Sequence, residues 1–256
     1  MFSFPLFKQT VKSNWLMFAV MGALMAVFLA QFAGMEMTQP LLLLIYYGMI
    51  GLILPTIYIL ISSNKLLAGQ VDKGSMAYVL STPKRRITVC STQMIYQVST
   101  IIIMFAVTTI MHLIVNAVAP LDLAAAAATL KISVSGTLSA GKIIIMNLSS
   151  CCACLALSGL CYMFSGIFNL SKYSTGASGV VCGVAILGSL FGMFGSMLNV
   201  DALAFFKYVS VYSFFDISSI LTGGKAWIIL MAVALVISIV SYTVGTLRFC
   251  KKDLPL

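Results

Sequence analysis

Six long apolar stretches divide the chain, at about residues 15–34, 41–63, 93–119, 143–168, 175–198 and 226–247. Each has the roughly 20 residues that an α-helix needs to cross a hydrocarbon core about 30 Å thick. None shows the alternation of apolar and polar residues that is typical of a lipid-facing barrel strand. Because a backbone in lipid must satisfy its own hydrogen bonds, the pattern predicts an all-α membrane protein, with six transmembrane helices in a single domain over residues 1–256.

The composition agrees with lipid as the main solvent. Hydrophobic residues make up 61% of the chain and charged residues only 8%, whereas a soluble domain carries about 25% charged residues. The net charge of +9 raises the question of nucleic-acid binding. The basic residues flank the apolar stretches instead of forming one stripe, so we expect a lipid bilayer and no nucleic acid as partner.

The basic residues also predict the orientation, because cytoplasmic loops of membrane proteins are enriched in Lys and Arg. The chain has 15 Lys and Arg residues. If the N-terminus is cytoplasmic, four of them fall on the outer side of the membrane: Lys131, Lys142, Lys207 and Lys225. The others fall inside: Lys8, Lys12, Lys65, Lys73, Lys84, Arg85, Arg86, Lys172, Arg248, Lys251 and Lys252. We therefore expect both termini in the cytoplasm.

The first residues form a pattern of their own. Apolar side chains recur at helical spacing, with Lys8 and Lys12 between them: Phe4, Phe7, Val11 and Trp15. This predicts a short amphipathic helix lying in the inner interface. The alternative is a basic flank that only orients the first stretch.

The loop of residues 64–92 is the sizeable cytoplasmic loop of this arrangement. Gly74 can break a helix, and Pro83 ends the next one because it disfavours the α conformation of Thr82. Between them an apolar face is formed by Met76, Val79 and Leu80. A docking helix for a cytoplasmic partner and an ordinary basic connection both fit this pattern.

Residues 69–74 (Gly-Gln-Val-Asp-Lys-Gly) and 80–86 (Leu-Ser-Thr-Pro-Lys-Arg-Arg) resemble the loop of ABC-2-type transporter permeases. That family has a Gly-Glu-x-x-x-Gly stretch followed by Leu-x-x-Pro-x-x-Arg. The matching positions are Gly69, Gly74, Leu80, Pro83 and Arg86, while Gln70 stands where the family usually has an acid.

The resemblance implies that this loop carries a coupling helix that seats in a separate ATPase. The coupling residues would be Gly69, Gln70, Gly74, Met76, Val79, Leu80, Pro83, Arg85 and Arg86. It also implies two copies of the ATPase, a second permease in a homo- or heterodimer, and the bacterial cell membrane as location. ATP and Mg²⁺ would bind to the ATPase.

The outer segment of residues 199–225 is rich in aromatic residues: Phe205, Phe206, Tyr208, Tyr212, Phe214 and Phe215. On physical grounds this is an interfacial aromatic belt. The family resemblance implies short helices that dip into the outer leaflet, with an outer cap formed by Phe205, Tyr208, Tyr212 and Phe215.

Glycines recur four residues apart in the fifth stretch, at Gly179 and Gly183 and at Gly188 and Gly192. Small residues at this spacing let helix backbones approach closely. They predict either tight packing within one bundle or a dimer seam.

Motifs for catalysis or cofactor binding are missing from the sequence. It has no Gly-x-x-x-x-Gly-Lys-[Ser/Thr] motif, so we expect no nucleotide site, no cofactor and no enzymatic activity in this chain. His112 is the single histidine, and Cys151, Cys152 and Cys154 lie in an apolar stretch, so we expect no metal site.

Three residues with polar side chains, His112, Asn116 and Asn147, lie at comparable depth inside the third and fourth apolar stretches. An interhelical hydrogen-bond cluster is the expected arrangement, and contact with a cargo is the alternative. Ionisable groups are nearly absent there, which disfavours a proton- or ion-coupled carrier.

The sequence therefore favours the membrane subunit of an ABC exporter. The apolar composition and 16 Met suggest an amphipathic or hydrophobic cargo, a peptide or a lipid-like compound. Among known systems the chain looks most like bacterial exporters of antimicrobial or toxin-like peptides, including the phenol-soluble-modulin type. A non-transporting sensor or immunity subunit is the alternative, and a channel or secondary carrier is a third.

Overall fold

The computed structural model describes residues 2–81, 85–124, 134, 136–198 and 200–252. It contains six helices that are long and apolar enough to cross a membrane, which we call span one to span six. Their bounds are Phe4–Gly34, Gln39–Leu66, Arg86–Val118, Ala140–Ile167, Ser171–Leu198 and Ala226–Lys251. In this described part of the chain no β-strand is present. The predicted all-α architecture with six spans is thereby confirmed.

Span one differs from the expectation of a separate interfacial helix, because Phe4–Gly34 is one uninterrupted helix of 31 residues. Its first turns dock along span three, where the Thr10 hydroxyl donates to Gln93 Oε1 at 3.2 Å. The apolar side chains Val11 and Trp15 are exposed on the opposite side. The basic N-terminal segment is thus the end of the first span itself.

Span two has an irregular beginning that the sequence did not predict. A 3₁₀ turn at Gln39–Leu41 leads into a π-helix at Leu42–Ile50, and regular α-helix follows over Gly51–Leu66. A Cβ atom at Gly51 would lie 3.0 Å from the carbonyl oxygen of Tyr46. The change from π to α geometry therefore occurs at a residue that has little room for a side chain.

Span four is the central helix of the bundle. In its apolar segment of 18 residues, 78% of the residues are buried, whereas the buried share is 17–50% in the corresponding segments of the other spans. Its closest neighbour is span six, where a Cβ atom at Gly245 would lie 2.9 Å from Met163 Cα. On the other side of this seam, a Cβ atom at Gly159 would lie 3.0 Å from the carbonyl oxygen of Ser238. Backbone contact between these two helices requires glycine at both positions.

One end of the bundle, which we call the basic end, holds both described chain ends. Ser3 N–H donates to Thr92 Oγ1 at 3.1 Å. Arg86 Nη1 donates to the carbonyl oxygen of Lys252 at 2.9 Å, and Lys252 Nζ donates to that of Phe168 at 2.9 Å. Burial lowers the pKa of Lys252 to about 8. These bonds tie the ends of spans three, four and six together.

Candidate functional site

The loop between spans two and three folds into two short helices at the basic end. The first loop helix is Ala68–Asp72 and the second is Ser75–Leu80. Gly74 separates them with a φ of +69°, a left-handed conformation that favours glycine. Ser165 Oγ of span four accepts a hydrogen bond from Ala68 N–H at 3.0 Å. The predicted break at Gly74 and the helix after it are confirmed.

On the apolar face of the second loop helix, Met76 and Val79 pack against the protein's own core, which differs from the expectation that this face meets a partner. Met76 is fully buried and Val79 is half-buried. Met76 belongs to one buried cluster with Leu6, Leu67, Val71, Val89, Cys90, Tyr162, Tyr242 and Phe249. This cluster, which we call the basic-end core, joins the loop to spans one, three, four and six.

Other residues of the loop are exposed. Tyr78 of the second loop helix is 81% exposed, and Lys73, Gly74 and Arg85 are exposed as well. A partner that binds this loop would therefore meet the Tyr78 side of the helix.

The remaining predicted coupling residues have different surroundings. Gly69 is buried, and a Cβ atom there would lie 3.0 Å from the carbonyl oxygen of Asn64. Gln70 is half-buried, and its carbonyl oxygen accepts a hydrogen bond from Ser75 Oγ at 3.1 Å. Arg86 is half-buried at the start of span three. Pro83 and the Leu80 side chain lie outside the described residues.

The outer segment consists of short helices, at Asp201–Ala204, Phe206–Val209, Val211–Phe214 and Ile217–Thr222. Its four predicted cap residues divide into two pairs. Tyr212 and Phe215 are buried in the bundle, whereas Phe205 and Tyr208 are 64% and 76% exposed.

Tyr212 fixes the outer segment to span two. Its hydroxyl donates to the carbonyl oxygen of Leu52 at 3.2 Å and also contacts Thr56 Oγ1. The segment therefore packs into the bundle through Tyr212 and Phe215, and exposes aromatic rings on its other side.

The glycines of span five have two different surroundings. A Cβ atom at Gly188 would lie 3.0 Å from Ser210 Cβ, so this glycine packs against the outer segment. In the described part of the chain, nothing lies within 4 Å of a Cβ atom at Gly179 or Gly183. Gly192 is buried. Packing within the bundle accounts for Gly188 but not for Gly179 and Gly183.

Three polar side chains from three spans meet in the core. The Tyr47 hydroxyl, from the π-helix, lies 2.6 Å from His112 Nδ1 and accepts a hydrogen bond from Asn147 Nδ2 at 2.8 Å. Which of the two groups donates in the Tyr47–His112 hydrogen bond is set by the His112 tautomer. His112 Nε2 has no hydrogen-bond partner among the described residues.

The predicted polar cluster is thereby confirmed for His112 and Asn147. Asn116 lies elsewhere: its Nδ2 donates to the carbonyl oxygen of Leu138 at 3.1 Å, and its Oδ1 accepts from Leu121 N–H at 3.3 Å. It fastens the connection between spans three and four. Tyr47 was not predicted as part of this cluster, because its place inside the apolar stretch of residues 41–63 gave no sign of a buried hydroxyl.

The cysteines behave as small apolar residues. Cys151, Cys152 and Cys154 are buried in span four, and Cys161 Sγ lies 3.6 Å from Cys182 Sγ of span five. Over the described residues no group of three or more His, Cys, Asp and Glu side chains is arranged to hold a metal ion.

Comparison with protein-family models, with curated proteins and with solved structures finds no match to this chain. The residues themselves are therefore the basis for any functional conclusion.

Proposed function

We propose that this chain is the membrane-spanning permease of an ATP-driven ABC exporter. The observation that carries the proposal is the pair of short helices at the basic end. They are formed by the residues that resemble the ABC-2-type loop, and they lie on a buried core with Tyr78 pointing away from it. A helix held in this way can transmit a push, because it cannot yield without disturbing that core.

In this proposal the basic end faces the cytoplasm and two ATPase subunits bind there. The partition of Lys and Arg supports this orientation, since the basic residues concentrate at this end. ATP and Mg²⁺ bind to the ATPases, and a second permease completes the dimer in the bacterial cell membrane.

Coupling would run through the basic-end core. Closure of the ATPases presses on the second loop helix, and Met76 passes the displacement to Tyr162 of span four and Phe249 of span six. Because span four contacts most of the other spans, its displacement reorients the bundle. The cargo is an amphipathic or hydrophobic peptide or lipid-like compound, in keeping with the apolar composition.

The test is capture of the ATPase by the tagged chain in its native membrane, with identification by mass spectrometry. We expect wild type to capture an ABC ATPase, and Tyr78→Asp to reduce its recovery at least about tenfold, because the charge is buried at the contact. The matched control is Tyr208→Asp, which changes an equally exposed tyrosine in the outer segment. It should capture the ATPase normally.

Capture of no ATPase by wild type would refute the exporter proposal. Capture of a signalling protein through the same tyrosine would instead identify the sensor or immunity subunit. Equal ATPase recovery with wild type and Tyr78→Asp would show that the loop is an ordinary basic connection.

A further inference from the structure

A half-open cavity of about 950 Å³ lies at the basic end between span one and span five. One wall is the first part of span one, with Gln9 and Asn14, and the other is the start of span five, with Ser171 and Thr175. The end of span two and the two loop helices form its floor. The volume is in the range of small-molecule sites, about 300–1,000 Å³.

Two exposed aromatic side chains give the depth of this cavity in a membrane. Trp15 of span one directly follows the lining residue Asn14, and Tyr173 of span five lies between Ser171 and Thr175; both rings are 57% exposed. Trp and Tyr are enriched where a membrane protein meets the lipid headgroups. The mouth of the cavity therefore lies at headgroup level.

The cavity is positively charged. Lys65 and Lys73 line it, and none of the acidic residues in the described part of the chain does. Asp72, beside Lys73, is exposed and outside the lining. Span five begins at Ser171 in the cavity wall, so the positive end of its helix dipole adds to the two ammonium groups. A cationic peptide would be repelled from this cavity, and an anion would be attracted.

Two asparagines in the lining leave hydrogen-bond acceptors unused. Asn14 is 7% exposed, and its Oδ1 has no partner among the described residues. Asn64 Oδ1 is likewise unpaired, although its Nδ2 donates to Ser171 Oγ at 2.5 Å. Buried polar atoms normally have a partner. These oxygens can accept a hydrogen bond from a hydroxyl group.

We propose that this cavity binds the headgroup of an anionic phospholipid, with its phosphate paired to Lys65 and Lys73. A hydroxylated headgroup such as that of phosphatidylglycerol also supplies donors for Asn14 and Asn64. Its acyl chains lie in the membrane beside spans one and five. The proposal does not rest on the exporter function, because it requires a bilayer and no ATPase.

The test is native mass spectrometry of the purified, delipidated chain with phosphatidylglycerol, with phosphatidylcholine, or with soluble glycerol phosphate as competitor. We expect wild type to retain phosphatidylglycerol about tenfold better than phosphatidylcholine. The double substitution of Lys65→Gln and Lys73→Gln should abolish this preference. The matched control, Lys8→Gln with Lys12→Gln, removes the same charge from exposed positions outside the lining and should keep it.

Three outcomes would overturn the proposal. Equal retention of the two lipids by wild type would show no headgroup recognition, and equal loss in both double variants would show only a general attraction of charge. Displacement by an equimolar amount of glycerol phosphate would identify a soluble phosphate as the ligand.

If the variant with Lys65→Gln and Lys73→Gln does not fold, a second variant tests whether the lipid binds in the cavity. Ser13→Phe fills the cavity from an exposed lining position and leaves every charge in place. Loss of phosphatidylglycerol from this variant supports the proposal, and unchanged retention overturns it.

Discussion

At the scale of single residues, glycines allow two central helices of the bundle to pack backbone against backbone. Gly166 and Gly245 face each other across the seam between spans four and six, and a Cβ atom at Gly166 would lie 2.9 Å from the Gly245 carbonyl carbon. In lipid the hydrophobic effect does not drive helices together, so close packing supplies much of their attraction. A side chain in this seam therefore acts directly on stability.

We expect Gly166→Leu to lower the free energy of unfolding by about 1–3 kcal/mol or more, because it forces two backbones apart. Unfolding in a mixed-detergent titration measures this loss. Gly141→Leu, near the start of the same helix, is the control because none of the described residues comes within 4 Å of its Cβ position. Equal stability of the two variants would contradict the observed seam.

The close packing predicted for the glycines of span five is found at Gly188, which lies against the outer segment. At Gly179 and Gly183 of the same helix, none of the described residues comes within 4 Å of a Cβ atom, so the dimer seam stays a prediction there. The seam between spans four and six was not predicted, and it has two glycines seven residues apart in span four, Gly159 and Gly166. That spacing also places residues on one helix face, but two isolated glycines give a weaker signal. What lies opposite them depends on the partner helix, which a local pattern does not specify.

At the scale of elements, the long helices were predictable and their irregularities were not. Span four was predicted at 143–168 and is observed at Ala140–Ile167, because length and apolarity are local properties. The π-helix of Leu42–Ile50 was missed, because its run of apolar residues has the same composition as a regular transmembrane α-helix. Tyr47, whose hydroxyl contacts His112 and Asn147, lies within this π-helix.

The second loop helix shows the same limit. Its bounds follow from Gly74 and from the apolar spacing, but the pattern could not show what covers Met76. An apolar face looks the same in sequence whether it packs on the chain's own core or on another protein.

The outer segment is expected to depend on Tyr212. Tyr212→Phe removes the hydroxyl that bonds to the Leu52 carbonyl oxygen and keeps the ring. The loss should be about 1 kcal/mol, the usual net contribution of one hydrogen bond, and faster proteolysis between spans five and six should accompany it. Tyr208→Phe is the control, because Tyr208 is 76% exposed. Equal protease resistance of both variants would mean that the segment is held by other contacts.

At the scale of the whole molecule, the direction of the bundle in the membrane is open to a direct test. We expect a cysteine replacing Asp122 to react with an impermeant maleimide in intact cells, and a cysteine replacing Ser81 to react only after lysis. Both positions are exposed, and the partition of basic residues predicts opposite sides. Cys250 is half-buried and a poor reporter, so it is best removed first. Labelling of position 81 in intact cells would show that the protein has the opposite orientation in the membrane.

The open glycines of span five connect the single chain to its proposed assembly. Since nothing lies within 4 Å of a Cβ atom at Gly183, Gly183→Leu should leave the unfolding free energy of one chain within about 0.5 kcal/mol of wild type. If Gly183 lies in a dimer seam, the same leucine separates the two helices and lowers the dimer fraction. Crosslinking in the native membrane, with unfolding in detergent as the second measurement, separates the two effects.

Gly141→Leu again serves as the control, because it also adds a leucine at an open glycine, in a different helix. A dimer fraction that falls only with Gly183→Leu would assign the seam to span five. If neither variant changes the dimer fraction, lipid contacts this face of span five, and the second permease must bind through another surface of the bundle.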